Sequence, residues 1–373
     1  MNVPYFVPWI TDQDKKFVLN SLNNRWLTNG PFLKKFEDKF SKFIKSKHAS
    51  GVGSATQALH LSMRSLDVNS EDEVIVPTLT FAATANAVRY CNANPILADV
   101  DPETFNILPK EIEKKISKKT KGIIAVHYGG QSCQMDEILS IAKKHNLFVV
   151  EDCAHSLGST FKKLCCGSIG STGCFSFYPT KVITTGEGGM VTTNNLKLYK
   201  KIETLKNQGM SILPAQREKL SKWKYDVVDV GYNYRLDEIR SSLGLSQMNR
   251  IDIINKKRIK IAEYYNNFLS KIKGISIPKT KKDRNHIYHL YTIKIENDFH
   301  LTRDQVFNKL SEKGIGTSVQ YWPLHLMSYN KKRYKKNEFK NANFLKDQLI
   351  SLPIYPLMTE KQIKYVAQTL LTI

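Results

Sequence analysis

Leu147-Phe-Val-Val-Glu151-Asp-Cys-Ala-His155 is a short apolar run that ends in two acids and, three residues on, a histidine. A run of four to eight apolar, β-branched residues closed by polar ones reads as a buried strand. The same kind of run recurs upstream. Glu73 to Val76, Ile96 to Val100 and Gly122 to His127 read as strands. Between them, Ala82 to Tyr90, Lys110 to Ser117 and Asp136 to His145 carry helical spacing. Regular strand–helix alternation predicts an α/β fold, with a large, mostly parallel sheet covered by helices on both faces. In such sheets ligands gather at the C-terminal ends of the strands. The polar residues that follow the strands therefore matter most: Pro77 to Phe81, His127 to Gln131, and Asp152 to His155.

Further along, residues 206 to 226 are polar and irregular, with Gly209 and Pro214, and predict a long functional or mobile loop. Leu236 to Ser270 predicts one long helix bridging two domains. The last third predicts a small α+β unit. Ile287 to Ile295 reads as a strand, Thr302 with Gln305 as a capping box, and Gly314 as the residue that ends the helix. A short helix closes the chain after Pro353 and Pro356. The expected division is a large domain over residues 1–245 and a small one over 246–373.

The chain has 373 residues, 41% hydrophobic and 24% charged, with a net charge of +22. That length and mix build a full core without disulfides or a structural metal. The positive charge is spread along the whole chain, which reads as a solvated surface; a nucleic-acid footprint needs clustering. Neither a helix-turn-helix nor an aromatic-basic RNA motif is visible. A cationic surface still draws in an anionic substrate. The six cysteines form no C-x-x-C pair and predict reduced, mostly buried thiols with no metal site. The first ten residues lack a signal-peptide pattern, and no apolar run approaches the ~20 residues of a membrane span. The expectation is a soluble cytoplasmic protein.

The segment that carries chemistry is Ser176-Phe-Tyr-Pro-Thr-Lys181-Val-Ile-Thr-Thr-Gly-Glu-Gly-Gly189. It places a lysine after a strand and a proline turn, followed by a glycine-rich, hairpin-like stretch. Asp152 lies at the end of the strand quoted above. Gly53-Ser54-Ala55-Thr56 opens an amphipathic helix. Pyridoxal 5'-phosphate (PLP) would use all three. Its aldehyde needs a lysine amine of lowered proton affinity. Its pyridine nitrogen needs a buried carboxylate to stay protonated. Its phosphate needs a helix N-terminus with free N–H groups, to which the Ser176 hydroxyl adds a donor. Phe81 is placed to cover one face of the ring.

These motifs resemble the DegT/DnrJ/EryC1/StrS family of PLP-dependent nucleotide-sugar aminotransferases. The resemblance covers nearly the whole chain. It is carried by Leu27-Thr-Asn-Gly-Pro31, Phe36-Glu37, Thr80-Phe-Ala-Ala-Thr-Ala-Asn-Ala87, Val126-His-Tyr-Gly-Gly130, Glu151-Asp-Cys-Ala-His155, Phe175-Ser-Phe-Tyr-Pro-Thr-Lys181 and Gly231-Tyr-Asn-Tyr-Arg-Leu236. It implies the fold-type I architecture of aspartate aminotransferase. It makes Lys181 the Schiff-base lysine, Asp152 the partner of the pyridine nitrogen, and His155 a neighbour of the ring hydroxyl. Ser54, Ala55, Thr56 and Ser176 would hold the phosphate and Phe81 would stack on the ring. Asn233 is similar to the family residue that reaches the phosphate from the neighbouring subunit, which implies a homodimer with shared active sites. Substrate contacts would come from Tyr5, Trp26, Thr28 and Tyr321. Three positions depart from the family pattern: Ala55 for a usual Gly, Val182 for a usual Asn, and Gln320 for a common His.

The implied reaction transfers an amino group, with L-glutamate as donor, to a nucleotide-linked 4-keto-6-deoxy sugar. Gly316 to His325 resembles members that act on UDP-linked sugars, and such products feed surface polysaccharide. A PLP-dependent sugar dehydratase, a 3-keto-sugar aminotransferase and a non-enzymatic basic regulator are the competing readings. Dehydratases of the family replace the lysine by histidine, and this chain keeps Lys181.

Overall fold

The structure is a computed structural model that describes residues 1–212, 223–335 and 337–373. The middle of the predicted 206–226 loop, residues 213–222, lies outside the described residues. The strands in chain order are β1 (His48–Val52), β2 (Glu73–Pro77), β3 (Asn94–Ala98), β4 (Thr120–Val126), β5 (Phe148–Asp152), β6 (Thr160–Phe161), β7 (Leu164–Cys165), β8 (Thr172–Ser176), β9 (Gly189–Thr193), β10 (Ile275–Ser276), β11 (Arg284–Asn285), β12 (Tyr291–Ile295) and β13 (Leu349–Leu352).

Seven strands form the main sheet in the order β1-β9-β8-β5-β4-β2-β3. β2, β3, β4, β5 and β8 pair in parallel, and β9 runs antiparallel to both of its neighbours. The central strands are apolar on both faces, and Val74, Ile75 and Val76 are fully buried. That is the pattern of a parallel sheet covered by helices on each side. Because the parallel strands point the same way, Thr78 to Phe81, Val126, Asp152 and Ser176 follow or close their strands at one edge of the sheet.

A second sheet, β10-β12-β13, is antiparallel. Its core takes in Tyr265, Tyr291, Ile350 and Leu370, together with Val3 from the start of the chain. Val3 is held there by two backbone bonds, its N–H to Gly314 and its carbonyl from Gly316, each 2.8 Å. Conversely, Leu324, Phe339 and Leu345 pack into the core of the main sheet. The two sheets therefore exchange segments, and the expected boundary at 245 falls inside the helix Glu238–Met248.

Two predicted elements are shorter than the sequence implies. The helix expected over Leu236 to Ser270 is two helices, Glu238–Met248 and Ile251–Leu269. Arg250 leaves helical geometry between them, and its guanidinium is tied to Asp14 at 2.6 Å and to the Trp9 carbonyl. The strand expected from Ile287 begins at Tyr291. Ile287 and Leu290 instead donate backbone bonds to Gly130 and Gly129. Gly130 has φ +101°, and a Cβ there would sit 3.0 Å from the His289 nitrogen, so glycine lets the two segments meet. The Thr302–Gln305 capping box forms as predicted, and Gly314 follows the helix end with φ +70°.

Candidate active site

Lys181 sits in the connection between the antiparallel pair β8 and β9. The chain turns at Tyr178-Pro-Thr-Lys181, where the Lys181 N–H bonds the Tyr178 carbonyl at 2.9 Å. The turn presents the lysine side chain to a cavity of about 440 Å³ at the C-terminal edge of the main sheet. That lies within the roughly 300–1,000 Å³ of small-molecule sites. Ser54, Ala55, Thr56, Phe81, Asp152, His155, Ser176, Lys181 and Tyr321 all line it.

Asp152 forms the floor at the end of β5. It is 6% exposed. Its Oδ2 accepts from the Thr84 hydroxyl at 2.9 Å, and its Oδ1 accepts from the Ala154 N–H at 3.2 Å. Burial raises its pKa, and the bonds from Ala154 and Thr84 and the charge of Lys181 oppose that rise. Burial lowers the Lys181 amine to about 8, with Asp152 holding it from falling further. An amine in that range is partly neutral near physiological pH and able to attack a carbonyl.

The residue beside Asp152 fixes the strand end. Glu151 is fully buried and accepts from the N–H groups of Gly167, Ile169 and Gly170 at 2.7–2.9 Å, and from His127 at 2.9 Å. The His127 Nδ1 accepts from the Cys133 N–H, so its Nε2 carries the proton given to Glu151. The close group His127, Glu151 and Cys153 is a hydrogen-bonded knot whose acceptors are already used.

The opposite wall is the N-terminus of the helix Ala55–Ser65. Ser54 caps it, accepting from the Gln57 N–H at 3.2 Å. Among the described hydrogen bonds none takes the N–H of Ala55 or Thr56, so the helix end offers donors and a positive partial charge to an anion. Gly189 passes so close that a Cβ would stand 2.6 Å from the Ser54 backbone. Glycine there lets the β9 end and the helix end close one corner of the cavity.

His155 is buried, and burial and the Lys181 charge hold its pKa well below the ordinary histidine value. Its Nδ1 accepts from the Gly129 N–H at 3.3 Å. The Nε2 of the neutral ring is therefore the donor, and it meets the Tyr321 hydroxyl at 3.0 Å. Phe81 is 60% exposed at the cavity mouth, its ring 6.1 Å from that of Tyr321.

A second cavity of about 290 Å³ adjoins the first. Thr180, Lys181, His155 and Tyr321 line both. Tyr5, His289, Ser318 and Gln320 line only the second. Trp26, Thr28 and Asn233 line neither. Thr28 bridges to Asp237, Glu238 bonds the Leu27 carbonyl, and the Glu238 carboxylate accepts from Gly30, Phe32 and Leu33, whereas Asn233 bridges to Asn207. Sequence reasoning left Thr84, Tyr178 and His289 without a role. Thr84 lies inside a quoted motif, but only the structure aims it at Asp152. His289 packs against His155 with ring centroids 4.6 Å apart and the rings tilted by 38°, and no local pattern could announce a contact across 134 positions.

The cavity fits PLP on its own chemistry. It offers a buried carboxylate, an amine of lowered proton affinity, and a helix N-terminus narrowed by glycine. Comparison with known proteins agrees. Residues 8–371 match the DegT/DnrJ/EryC1/StrS aminotransferase family. The spore coat polysaccharide biosynthesis protein SpsC of Bacillus subtilis is 38% identical over 97% of this chain and 94% of its own. A GDP-perosamine synthase of Escherichia coli O157:H7 is 35% identical over 99% and 97%. The structure of a putative sugar aminotransferase, Spr1654 from Streptococcus pneumoniae in its PMP form, superposes with a TM-score of 0.94 at 29% identity, covering 100% of this chain and 98% of that one. The chain belongs to the DegT/DnrJ/EryC1/StrS aminotransferase family, whose chemistry runs on pyridoxal phosphate.

Proposed function

We propose that this aminotransferase moves the amino group of L-glutamate to the keto carbon of a nucleotide-linked 4-keto-6-deoxy sugar, releasing 2-oxoglutarate and an amino sugar for surface polysaccharide. The observation that carries the reading is the joint presence of Asp152 and Lys181 on one buried cavity, with a neutral His155 beside them. When bound, PLP supplies a carbonyl for amines and a sink for electrons from the carbon that bears the amino group. Every other task falls to the chain. Asp152 would pair with the pyridine nitrogen and keep it protonated. Ser54, Ala55, Thr56 and Ser176 would hold the phosphate, Phe81 would cover the ring, and His155 would orient the ring hydroxyl. Lys181 would take a proton from the donor Cα with its amine as general base and give it back as general acid. Burial lowers its amine toward the range in which one group acts as both base and acid.

Tyr321 and Tyr5 contact the sugar from the second cavity. Asn233, Trp26 and Thr28 serve the site of the partner in a homodimer; their absence from the lining of the chain's own two cavities is consistent with this. UDP is the carrier suggested by Gly316 to His325. GDP is a second reading, supported by the relative named GDP-perosamine synthase. The test is to incubate the purified protein and L-glutamate with UDP-, GDP- and dTDP-linked 4-keto-6-deoxyhexoses, following amino-sugar mass and 2-oxoglutarate together. Equimolar formation of both supports the reading. A sugar product formed equally well without glutamate would favour dehydration instead.

A further inference from the structure

Lys181 also lines a third cavity, far smaller, of about 10 Å³. Arg258, from the helix Ile251–Leu269, and Gln247, from the helix Glu238–Met248, share its wall. Arg258 is 0% exposed and Gln247 is 2% exposed. Only Nη1 of the guanidinium is used, donating to the carbonyls of Ile354 at 2.8 Å and His289 at 3.3 Å. Its Nε and Nη2 have no partner among the described residues, and the same holds for Nε2 of Gln247, whose Oε1 accepts from the Thr184 N–H at 2.9 Å. No carboxylate among the described residues lies within ion-pair distance of Arg258. A buried, unpaired cation is costly, and natural proteins pair it or neutralise it.

The unpaired side-chain atoms on this wall are all donors. Much of the remaining wall is apolar, including Phe6, Val182 and Ile254, and three of its residues are prolines. A water molecule accepts two hydrogen bonds and must itself donate two. A monatomic anion accepts from every donor and also neutralises the guanidinium. The volume suits one water-sized sphere, too little for a carboxylate or phosphate group. We propose that Arg258 and Gln247 form a halide site in this small cavity, in which bound chloride neutralises the buried guanidinium and stabilises the fold. The site is independent of cofactor and substrate.

The test is a bromide soak of holoenzyme crystals grown without chloride, read by anomalous scattering. A peak within hydrogen-bond distance of Arg258 and Gln247 is expected. Gln247→Glu keeps an oxygen for the Thr184 N–H and supplies the negative charge from the protein, so the peak should vanish in that variant. In solution, replacing chloride by gluconate at constant ionic strength should lower the thermal unfolding midpoint of the wild type. Gln247→Glu should be insensitive to the exchange. No peak at the site, a peak that persists in Gln247→Glu, or a wild-type thermal midpoint equal in chloride and gluconate would overturn the proposal. The crystallographic readout stands even where the aminotransferase reading fails, so the two failures are distinguishable.

Discussion

The Thr84 hydroxyl donates to the Asp152 carboxylate across 2.9 Å, linking a helix to the strand end that forms the floor of the site. A hydrogen bond to a charged group is worth about 1.5–3 kcal/mol. Thr84→Val keeps the shape and removes the donor, so Asp152 becomes easier to protonate and holds the pyridine nitrogen less well. PLP affinity should fall by roughly 10- to 100-fold. Titrating apoprotein with PLP by absorbance measures it, and an unchanged dissociation constant would remove Thr84 from the cofactor's support.

Lys181→Ala should leave PLP bound only through its phosphate and ring contacts. Borohydride should then fix no cofactor to the protein. Turnover should drop by on the order of 10³-fold, the scale of a lost general acid–base group. Mass spectrometry of the intact protein checks the first and a coupled 2-oxoglutarate assay the second.

The pH dependence follows from the direction of the Lys181 shift. Burial lowers the amine to about 8, and only the neutral amine attacks an aldehyde. Reconstitution of apoprotein with PLP should therefore accelerate as pH rises through about 8 and level off above it. Asp152 raises this pKa, so Asp152→Asn should move the midpoint lower. A midpoint near the ordinary lysine value, or an upward shift in Asp152→Asn, would contradict the electrostatic account.

Glu238 is fully buried and its carboxylate accepts the N–H groups of Gly30, Phe32 and Leu33. Glu238→Ala orphans three donors at the start of the helix Pro31–Ile44 and frees the loop that carries Trp26 and Thr28. The cost should reach about 3 kcal/mol or more, seen as a thermal midpoint lower by several degrees. If Trp26 and Thr28 serve the partner's site, the KM for the nucleotide sugar should rise more than the KM for glutamate.

Much of this was legible in the sequence because the information was local. The Val74-Ile-Val76 run, the Leu147–Glu151 run and the turn before Lys181 each announce their structure within a few residues. The helix break at Arg250 was hidden because its cause is a distant acid, Asp14. The late start of β12 was hidden because Gly129 and Gly130 claim the backbone of Ile287 and Leu290 first. The same logic holds at the site. Asp152 and Lys181 stand at readable strand ends, whereas His289 and the Arg258–Gln247 pair acquire meaning only when helices and loops from different parts of the chain converge.

The most direct measurement is the visible spectrum of the purified holoprotein, recorded as L-glutamate and then a nucleotide-linked 4-keto-6-deoxy sugar are added. The account predicts a visible band that L-glutamate bleaches and the keto-sugar restores, with one amino sugar formed per band recovered. A band that L-glutamate leaves unchanged, or one that no keto-sugar restores while the sugar itself is consumed without the donor, would contradict it.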